Sequence, residues 1–164
     1  MKKYILLSIV YANLILFSSP IYAQQVYTNT LTTKNYLDSA NIKRYKNKID
    51  TNRIKIEVNR IIGISSFYST NLNGTETSTG ERFYNNKYTA ACNLFKLNTI
   101  VRVTNLRNGK TVLVRINDHM HPNMLSKGRV IDLSQSAAKQ LVFKSKGLVK
   151  VMVDAIGYSK KNPK

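Results

Sequence analysis

Residues 99–117 read TIVRVTNLRNGKTVLVRIN, and this stretch decides the fold class. Two runs of β-branched and other apolar residues, 99–105 and 110–117, flank the pair Asn108-Gly109. An Asn-Gly pair between such runs is the strongest short-range signal for a β-hairpin. The stretch therefore predicts two antiparallel strands joined by a turn.

The sequence on either side of this hairpin shows a similar pattern of short apolar runs separated by Gly and Asn. Further strands are predicted over 61–68, 129–133 and 148–156. Ser134 is a suitable N-cap for a helix over 136–141. Six or so short strands with one or two short helices indicate a mainly β fold. A small closed barrel is expected, because closure leaves no exposed strand edge.

The first 23 residues have the layout of a secretory signal peptide. Lys2 and Lys3 precede an apolar run over 4–17, and Ala23 offers a small residue before a cleavage point. A transmembrane helix needs about 20 apolar residues, and this run is shorter. No Cys follows the run, so a lipid anchor at the cleavage point is not expected. The sequence therefore predicts an exported protein, periplasmic or secreted, with no stable membrane anchor after cleavage.

Residues 24–60 are polar and rich in Asn, Thr and Lys, which predicts a linker or arm with a short helix near 36–48. A barrel domain is expected over 61–157, followed by a basic tail at 158–164. The formal net charge is +18 and is spread along the chain. For an exported protein the available polyanions are the cell wall, anionic lipids and polysaccharides rather than nucleic acid. The alternative is that a lysine-rich proteome makes its proteins basic.

The loop over residues 74–81 carries the first candidate for chemistry. It is rich in Gly, Ser and Thr and ends at Glu81, just before the aromatic pair Phe83-Tyr84. Aromatic surroundings disfavour the charged form of a carboxyl group, which suits a general acid. The alternative is that Glu81 caps a turn or pairs with a neighbouring Arg.

The second candidate is the triplet Asn117-Asp118-His119, where the hairpin's second strand ends. Polar groups at a strand end sit on a rigid scaffold, which favours function, although a local Asx turn is the alternative. His119 and His121 beside Asp118 could suggest a metal, but zinc sites draw further ligands from elsewhere at characteristic spacings. We therefore expect no metal and no other cofactor. Cys92 is the only cysteine, which excludes an intrachain disulfide.

Seven short motifs stand in order along the chain: GISSFY at 63–68, GERF at 80–83, YTAA at 88–91, VRVTNL at 101–106, NG at 108–109, VRIND at 114–118 and GRVIDLS at 128–134. This pattern resembles the rare lipoprotein A family. The resemblance covers nearly all of 61–157 and nothing of 24–60. It implies a six-stranded double-psi β-barrel over 61–157.

The resemblance also implies a peptidoglycan lytic transglycosylase, which cleaves MurNAc–GlcNAc bonds and leaves 1,6-anhydromuramyl ends. The family's catalytic Asp falls on Asp118, the expected acid/base, and its Glu falls on Glu81, the expected partner that tunes the proton or stabilises charge. The reverse assignment is also possible. Cleavage needs a carboxylic acid to protonate the leaving oxygen. Because the sugar's own C6 hydroxyl is the acceptor, one carboxyl can act first as acid and then as base.

Other site positions follow from the same resemblance. Cys92 stands where the family often has His, and a thiol cannot become a cation as an imidazole can. Asp132 also matches and is expected to bind backbone groups within the barrel. Substrate contacts are expected from Tyr68, Arg82, Arg115, Asn117 and His119, with the two arginines suited to the carboxylates of peptide stems.

Two other functions compete with this hypothesis. A non-catalytic, expansin-like protein on the same barrel would bind and loosen glycan without cutting it, and Cys92 in place of His favours this alternative. A secreted factor that binds polyanions through the basic arm is the third possibility. Under the leading hypothesis the protein is a monomer whose partners are peptidoglycan glycan strands, with no nucleic acid.

Overall fold

The computed structural model describes residues 35–143, 145 and 147–159. The strands within these ranges are β1 (Lys55–Glu57), β2 (Arg60–Phe67), β3 (Thr89–Ala91), β4 (Thr99–Asn105), β5 (Thr111–Asp118), β6 (Arg129–Leu133) and β7 (Val149–Tyr158). The helices are α1 (Ser39–Arg44) and α2 (Gln135–Gln140), with 3-10 turns at Lys46–Lys48, Thr70–Leu72 and Pro122–Lys127. The expected signal peptide, the first part of the arm and most of the basic tail lie outside the described residues.

Six of these strands close into a barrel. Hydrogen-bonded neighbours follow the order β2-β6-β3-β5-β4-β7, and β7 pairs again with β2. The pairs β2–β6 and β3–β5 are parallel, whereas the other pairs in the ring are antiparallel. Strand β1 lies outside the ring, antiparallel to the start of β2. The predicted mainly β class and the six-stranded double-psi β-barrel are confirmed.

The predicted hairpin is the β4–β5 pair. Its inward-facing valines are buried, namely Val101, Val103, Val112 and Val114. The turn spans residues 106–109, because Asn105 and Lys110 are still hydrogen-bonded to each other. Within the Asn-Gly pair only Gly109 has a left-handed backbone, with φ of +71°. The hairpin is therefore present with a longer turn than a two-residue one.

The helix predicted after β6 is α2. The Ser134 hydroxyl accepts a hydrogen bond from the Ala137 N–H, so this serine is the N-cap. Ala137 and Ala138 are both completely buried. Small side chains on this face allow the helix to pack closely against the barrel.

The N-terminal segment expected to be a linker or arm is packed against the barrel in its described part. The compact unit that contains the barrel begins at Tyr36. Leu37 is buried and bridges to Phe95, and Ile54 is only 4% exposed. The segment's polar composition conceals these apolar anchors, because they are few and widely spaced. No helix within the described ranges combines the length and apolar character that crossing a bilayer requires.

We expect Ile54→Ala to lower the free energy of unfolding by about 2–4 kcal/mol, because it leaves a cavity between the N-terminal segment and the barrel. Val58→Ala is the matched control, since Val58 lies in the same segment but is 77% exposed. The control should change stability by less than about 0.5 kcal/mol. Urea denaturation measures both variants, and equally small effects would contradict a packed segment.

Candidate active site

A β-bulge at the end of β5 sets the direction of the side chains there. Ala90 of β3 pairs with Ile116, but the next residue, Ala91, pairs with Asp118, which leaves Asn117 as an extra residue. An extra residue in one strand breaks the alternation of side chains. Ile116 and Asn117 are accordingly both buried, and Asp118 returns to the outer face of the barrel. Arg115, on the other side of the bulge, lies on this same face.

The Asp118 carboxylate accepts four hydrogen bonds. Its Oδ2 accepts one from the Tyr68 hydroxyl at 2.7 Å. Its Oδ1 accepts three, from the Ser78 hydroxyl at 2.7 Å, the Ser78 N–H at 2.9 Å and the His119 N–H at 2.8 Å. These donors come from the end of β2, the loop over 74–81 and the residue after β5. The carboxylate therefore joins three parts of the chain at one point.

Tyr68 is held rigidly as a donor to this carboxylate. Its ring stacks on Phe83 with 4.2 Å between the centroids. Burial raises the pKa of the Tyr68 hydroxyl above its usual range, and the hydrogen bond to Asp118 adds to the shift. The phenol therefore keeps its proton across the physiological pH range.

Glu81 forms an ion pair with Arg115. The alternative for this glutamate was pairing with a neighbouring Arg, and the partner observed, Arg115, lies thirty-four positions away in the sequence. Arg115 also donates to the Asn98 side chain at 2.9 Å. Both partners are largely covered, with side chains 15% exposed for Arg115 and 26% for Glu81. Arg115 thus holds Glu81 in place and supplies the opposite charge.

The loop over 74–81 runs alongside β5 and brings the two acids to one edge of the barrel. The Ser78 hydroxyl donates to the Asp118 carboxylate, and the Thr79 N–H donates to the backbone oxygen of Asn117 at 3.2 Å. Glu81 forms its ion pair with Arg115. On β5, Arg115 and Asp118 are three positions apart, which corresponds to roughly 10 Å along the strand. Glu81 and Asp118 are therefore held on the same face of the barrel, at the two ends of this stretch of β5.

The remaining predicted site residues differ in exposure. Arg82 is exposed and donates to the Gly74 oxygen at 2.7 Å, which closes the loop on itself. His119 is exposed beside Asp118. Asn117 is buried, so its side chain does not face solvent. Among the described residues, no group of three or more His, Cys, Asp or Glu side chains is arranged to hold a metal ion.

Cys92, at the position where the family often has His, is 1% exposed. Burial raises the pKa of its thiol to about 11. Its backbone nevertheless belongs to the site, because its N–H donates to the Asp118 backbone oxygen at 3.0 Å. The thiol itself is a protonated, enclosed group that does not exchange protons near neutral pH.

Asp132 is a further acid near the site whose surroundings the sequence did not predict. It was expected to bind backbone groups, but its carboxylate accepts hydrogen bonds from the Ser66 hydroxyl at 2.6 Å and from Arg129 at 2.7 Å. Its negative charge contributes to the raised pKa values of both Tyr68 and Cys92. The spacing of Arg129 and Asp132, three residues apart, was the one local signal for this pair.

Two solved structures are similar in fold. The Streptomyces papain inhibitor is 21% identical with a TM-score of 0.46, covering 58% of this chain and 92% of that one. The expansin of Clavibacter michiganensis, without ligand, is 18% identical with a TM-score of 0.46, covering 62% of this chain and 52% of that one.

Curated relatives align with the barrel region at higher identity. The endolytic peptidoglycan transglycosylase RlpA of Pasteurella multocida is 45% identical over 94 residues, which cover 57% of this chain and 31% of the relative. The protein of the same name from Campylobacter jejuni is 39% identical over 100 residues, covering 61% of this chain and 35% of the relative. The chain thus spans about a third of the length of these relatives.

The family model described as lytic transglycolase matches residues 60–153, which is more than half of the chain. The match contains both Glu81 and Asp118 together with the whole ring of strands from β2 to most of β7. The expected resemblance to rare lipoprotein A is confirmed, and the chain belongs to the lytic transglycolase family.

Proposed function

We propose that this protein is an endolytic peptidoglycan lytic transglycosylase whose site lies at the end of β5. The observation that supports the proposal is that one loop, over 74–81, is bonded to β5 both through Ser78 at Asp118 and through Glu81 at Arg115. The names of the relatives from Pasteurella and Campylobacter support the same reaction. The barrel over 61–157 would carry the activity.

The reaction breaks the bond between C1 of MurNAc and the oxygen on C4 of GlcNAc. The leaving oxygen takes up one proton, and the MurNAc C6 hydroxyl attacks C1 and gives up another. No water molecule enters the products, which are a GlcNAc end and a 1,6-anhydromuramyl end. The site must therefore handle two protons and stabilise positive charge at C1.

Asp118 is the acid/base in this proposal. Its Oδ1 already accepts three hydrogen bonds, whereas Oδ2 accepts only the one from Tyr68. A carboxylate oxygen has about two lone-pair positions, so Oδ2 is the atom with room for a proton from the glycan. Glu81, held by Arg115, is the partner that stabilises positive charge on the sugar.

The predicted substrate contacts divide according to their surroundings. Arg82 and His119 are exposed and can reach a glycan strand or its peptide stems. Tyr68 and Arg115 act indirectly, because each is bonded to one of the two acids. The partner is a peptidoglycan strand rather than nucleic acid, and the protein acts as a monomer without a metal or other cofactor.

A non-catalytic wall-binding role is the second candidate. The observation that favours it is that donors occupy both acids, since Arg115 binds Glu81 and four hydrogen bonds converge on Asp118. Under this role, purified wild-type protein would bind sacculi and release no soluble muropeptide. Release of 1,6-anhydromuramyl products, seen by mass spectrometry, would exclude it.

Asp118→Asn should reduce the release of 1,6-anhydromuramyl products by about 10³-fold, because the amide cannot exchange a proton. Sacculus binding should persist, since Asn still offers an oxygen to Ser78. Glu57→Gln is the control, because it removes one negative charge from an acid on β1 that is paired with Lys55. The acid/base assignment to Asp118 is wrong if Asp118→Asn releases product as fast as this control.

Glu81→Gln should reduce product release by about 10²-fold, less than Asp118→Asn, because it weakens charge stabilisation and leaves the proton-exchanging group in place. Glu76→Gln is the matched control, an exposed glutamate in the same loop. The measurement is the initial rate of release from sacculi at equal protein concentration. Complete loss in Glu81→Gln with substantial activity in Asp118→Asn would reverse the two roles.

Export is part of the proposal. The secretory layout of residues 1–23 predicts cleavage after Ala23 and a mature protein in the periplasm or outside the cell. The intact mass of protein recovered from the cell envelope or the medium should correspond to a chain that begins at Gln24. A recovered mass that still includes residues 1–23 would contradict this prediction.

A further inference from the structure

We propose that His119 is the general acid that protonates the leaving oxygen, so that Asp118 acts as the base. This assignment rests on the proposed function and refines it: Asp118 keeps the role of base, and the role of acid passes from Asp118 to the neighbouring His119. It is carried by the hydrogen bonds that hold His119 and by the donors that surround Asp118.

The backbone of His119 is fixed on both sides. Its N–H lies 2.8 Å from Asp118 Oδ1 and 3.1 Å from the Ser78 hydroxyl. The next residue, Met120, exchanges two hydrogen bonds with the buried side chain of Asn93, at 2.8 and 3.0 Å. The imidazole is therefore attached to a short segment that is held at each end.

One ring nitrogen of His119 has its role set by its partner. Nδ1 lies 3.2 Å from the backbone oxygen of Cys92. A carbonyl oxygen only accepts hydrogen bonds, so Nδ1 carries a hydrogen in both the neutral and the protonated ring. The proton that the ring gains or loses is consequently the one on Nε2, which has no hydrogen-bond partner among the residues that the structure describes. The ring can thus exchange a proton without leaving its place.

The surroundings of Asp118 favour the role of base for that residue. Every contact that the structure gives to its carboxylate comes from a donor, and Oδ1 already accepts three hydrogen bonds. An ionised carboxylate accepts hydrogen bonds at all its positions, whereas a protonated one must also donate. These contacts therefore suit the ionised carboxylate, which is the starting form that a base requires.

The other titratable groups near His119 are unsuited to the acid role. The Cys92 thiol is enclosed, and the Tyr68 hydroxyl is committed to Asp118. The second imidazole, His121, accepts the Asn123 N–H at the start of the Pro122–Lys127 turn. His119 is therefore the exposed imidazole that directly follows the Asp118 carboxylate.

The proposed step balances. The bond between MurNAc C1 and the GlcNAc oxygen breaks while that oxygen takes the proton from Nε2 of His119. The C6 oxygen forms the new bond to C1 and gives its proton to Asp118 Oδ2. Asp118 and His119 then return to their starting forms by net transfer of one proton through solvent.

The test compares a natural glycan strand with a MurNAc-ended glycan that carries a 4-nitrophenyl leaving group, which departs without needing a proton. On the natural strand, the cleavage rate of His119→Gln should be about 10²-fold lower than that of wild type. On the activated substrate, its rate should fall by less than about tenfold. Asp118→Asn should lose activity on both substrates. His121→Gln is the matched control and should resemble wild type.

Equal losses of His119→Gln on the two substrates, or no loss on the natural strand, would overturn the assignment. Failure of wild-type protein to release any anhydromuramyl product would instead reject the proposed function. Nitrogen NMR of labelled His119 gives a readout that does not depend on activity, since a neutral ring with its hydrogen on Nε2 contradicts the assignment.

Discussion

The Asp118 carboxylate is the point on which the site's geometry depends. The loop over 74–81 is made mostly of small polar residues and cannot be positioned by a large apolar side chain of its own. Ser78 fastens it to the barrel through Asp118, and three residues later Glu81 fastens it again through Arg115. One acid thus helps to place the other. A neutral residue of similar shape at 118 would keep some of the hydrogen bonds while losing the charge that strengthens them.

The elements that could be predicted from sequence are those specified by neighbouring residues. Alternating valines and an Asn-Gly pair predict the β4–β5 hairpin. Ser134 and the two alanines that follow it predict α2. Strand β3 has only three residues and gives no periodic signal, because all three of its side chains are buried. The N-terminal segment was obscured for a different reason. Its stabilising contacts, such as that of Leu37 with Phe95, join residues far apart in sequence.

The same distinction applies to the candidate site. Motif resemblance points to Glu81 and Asp118 individually, but the partner of each depends on how the loop lies against β5. The pairing of Glu81 with Arg115 depends on how the loop over 74–81 is aligned along β5, and no local sequence pattern specifies that alignment. For Asp132 the prediction failed in a different way, because a partner close in sequence was overlooked. Its partner Arg129 is close in sequence, yet its proximity to Tyr68 depends on the parallel pairing of β2 with β6.

Because of the extra residue at Asn117, the number of residues in β5 determines which way the Asp118 side chain points. Before the bulge, successive side chains alternate between the interior and the outside, and the bulge resets that alternation just ahead of the acid. Deleting one residue there would turn the carboxylate inward while leaving the composition of the strand almost unchanged. Residues 106–109, at the far end of the hairpin, do not set the direction of this carboxylate, although they hydrogen-bond to Lys150 and Leu141. A change of chain length at the bulge therefore acts directly on the direction of the acid, whereas one at the turn acts on contacts with β7 and Leu141 at the other end of the same hairpin.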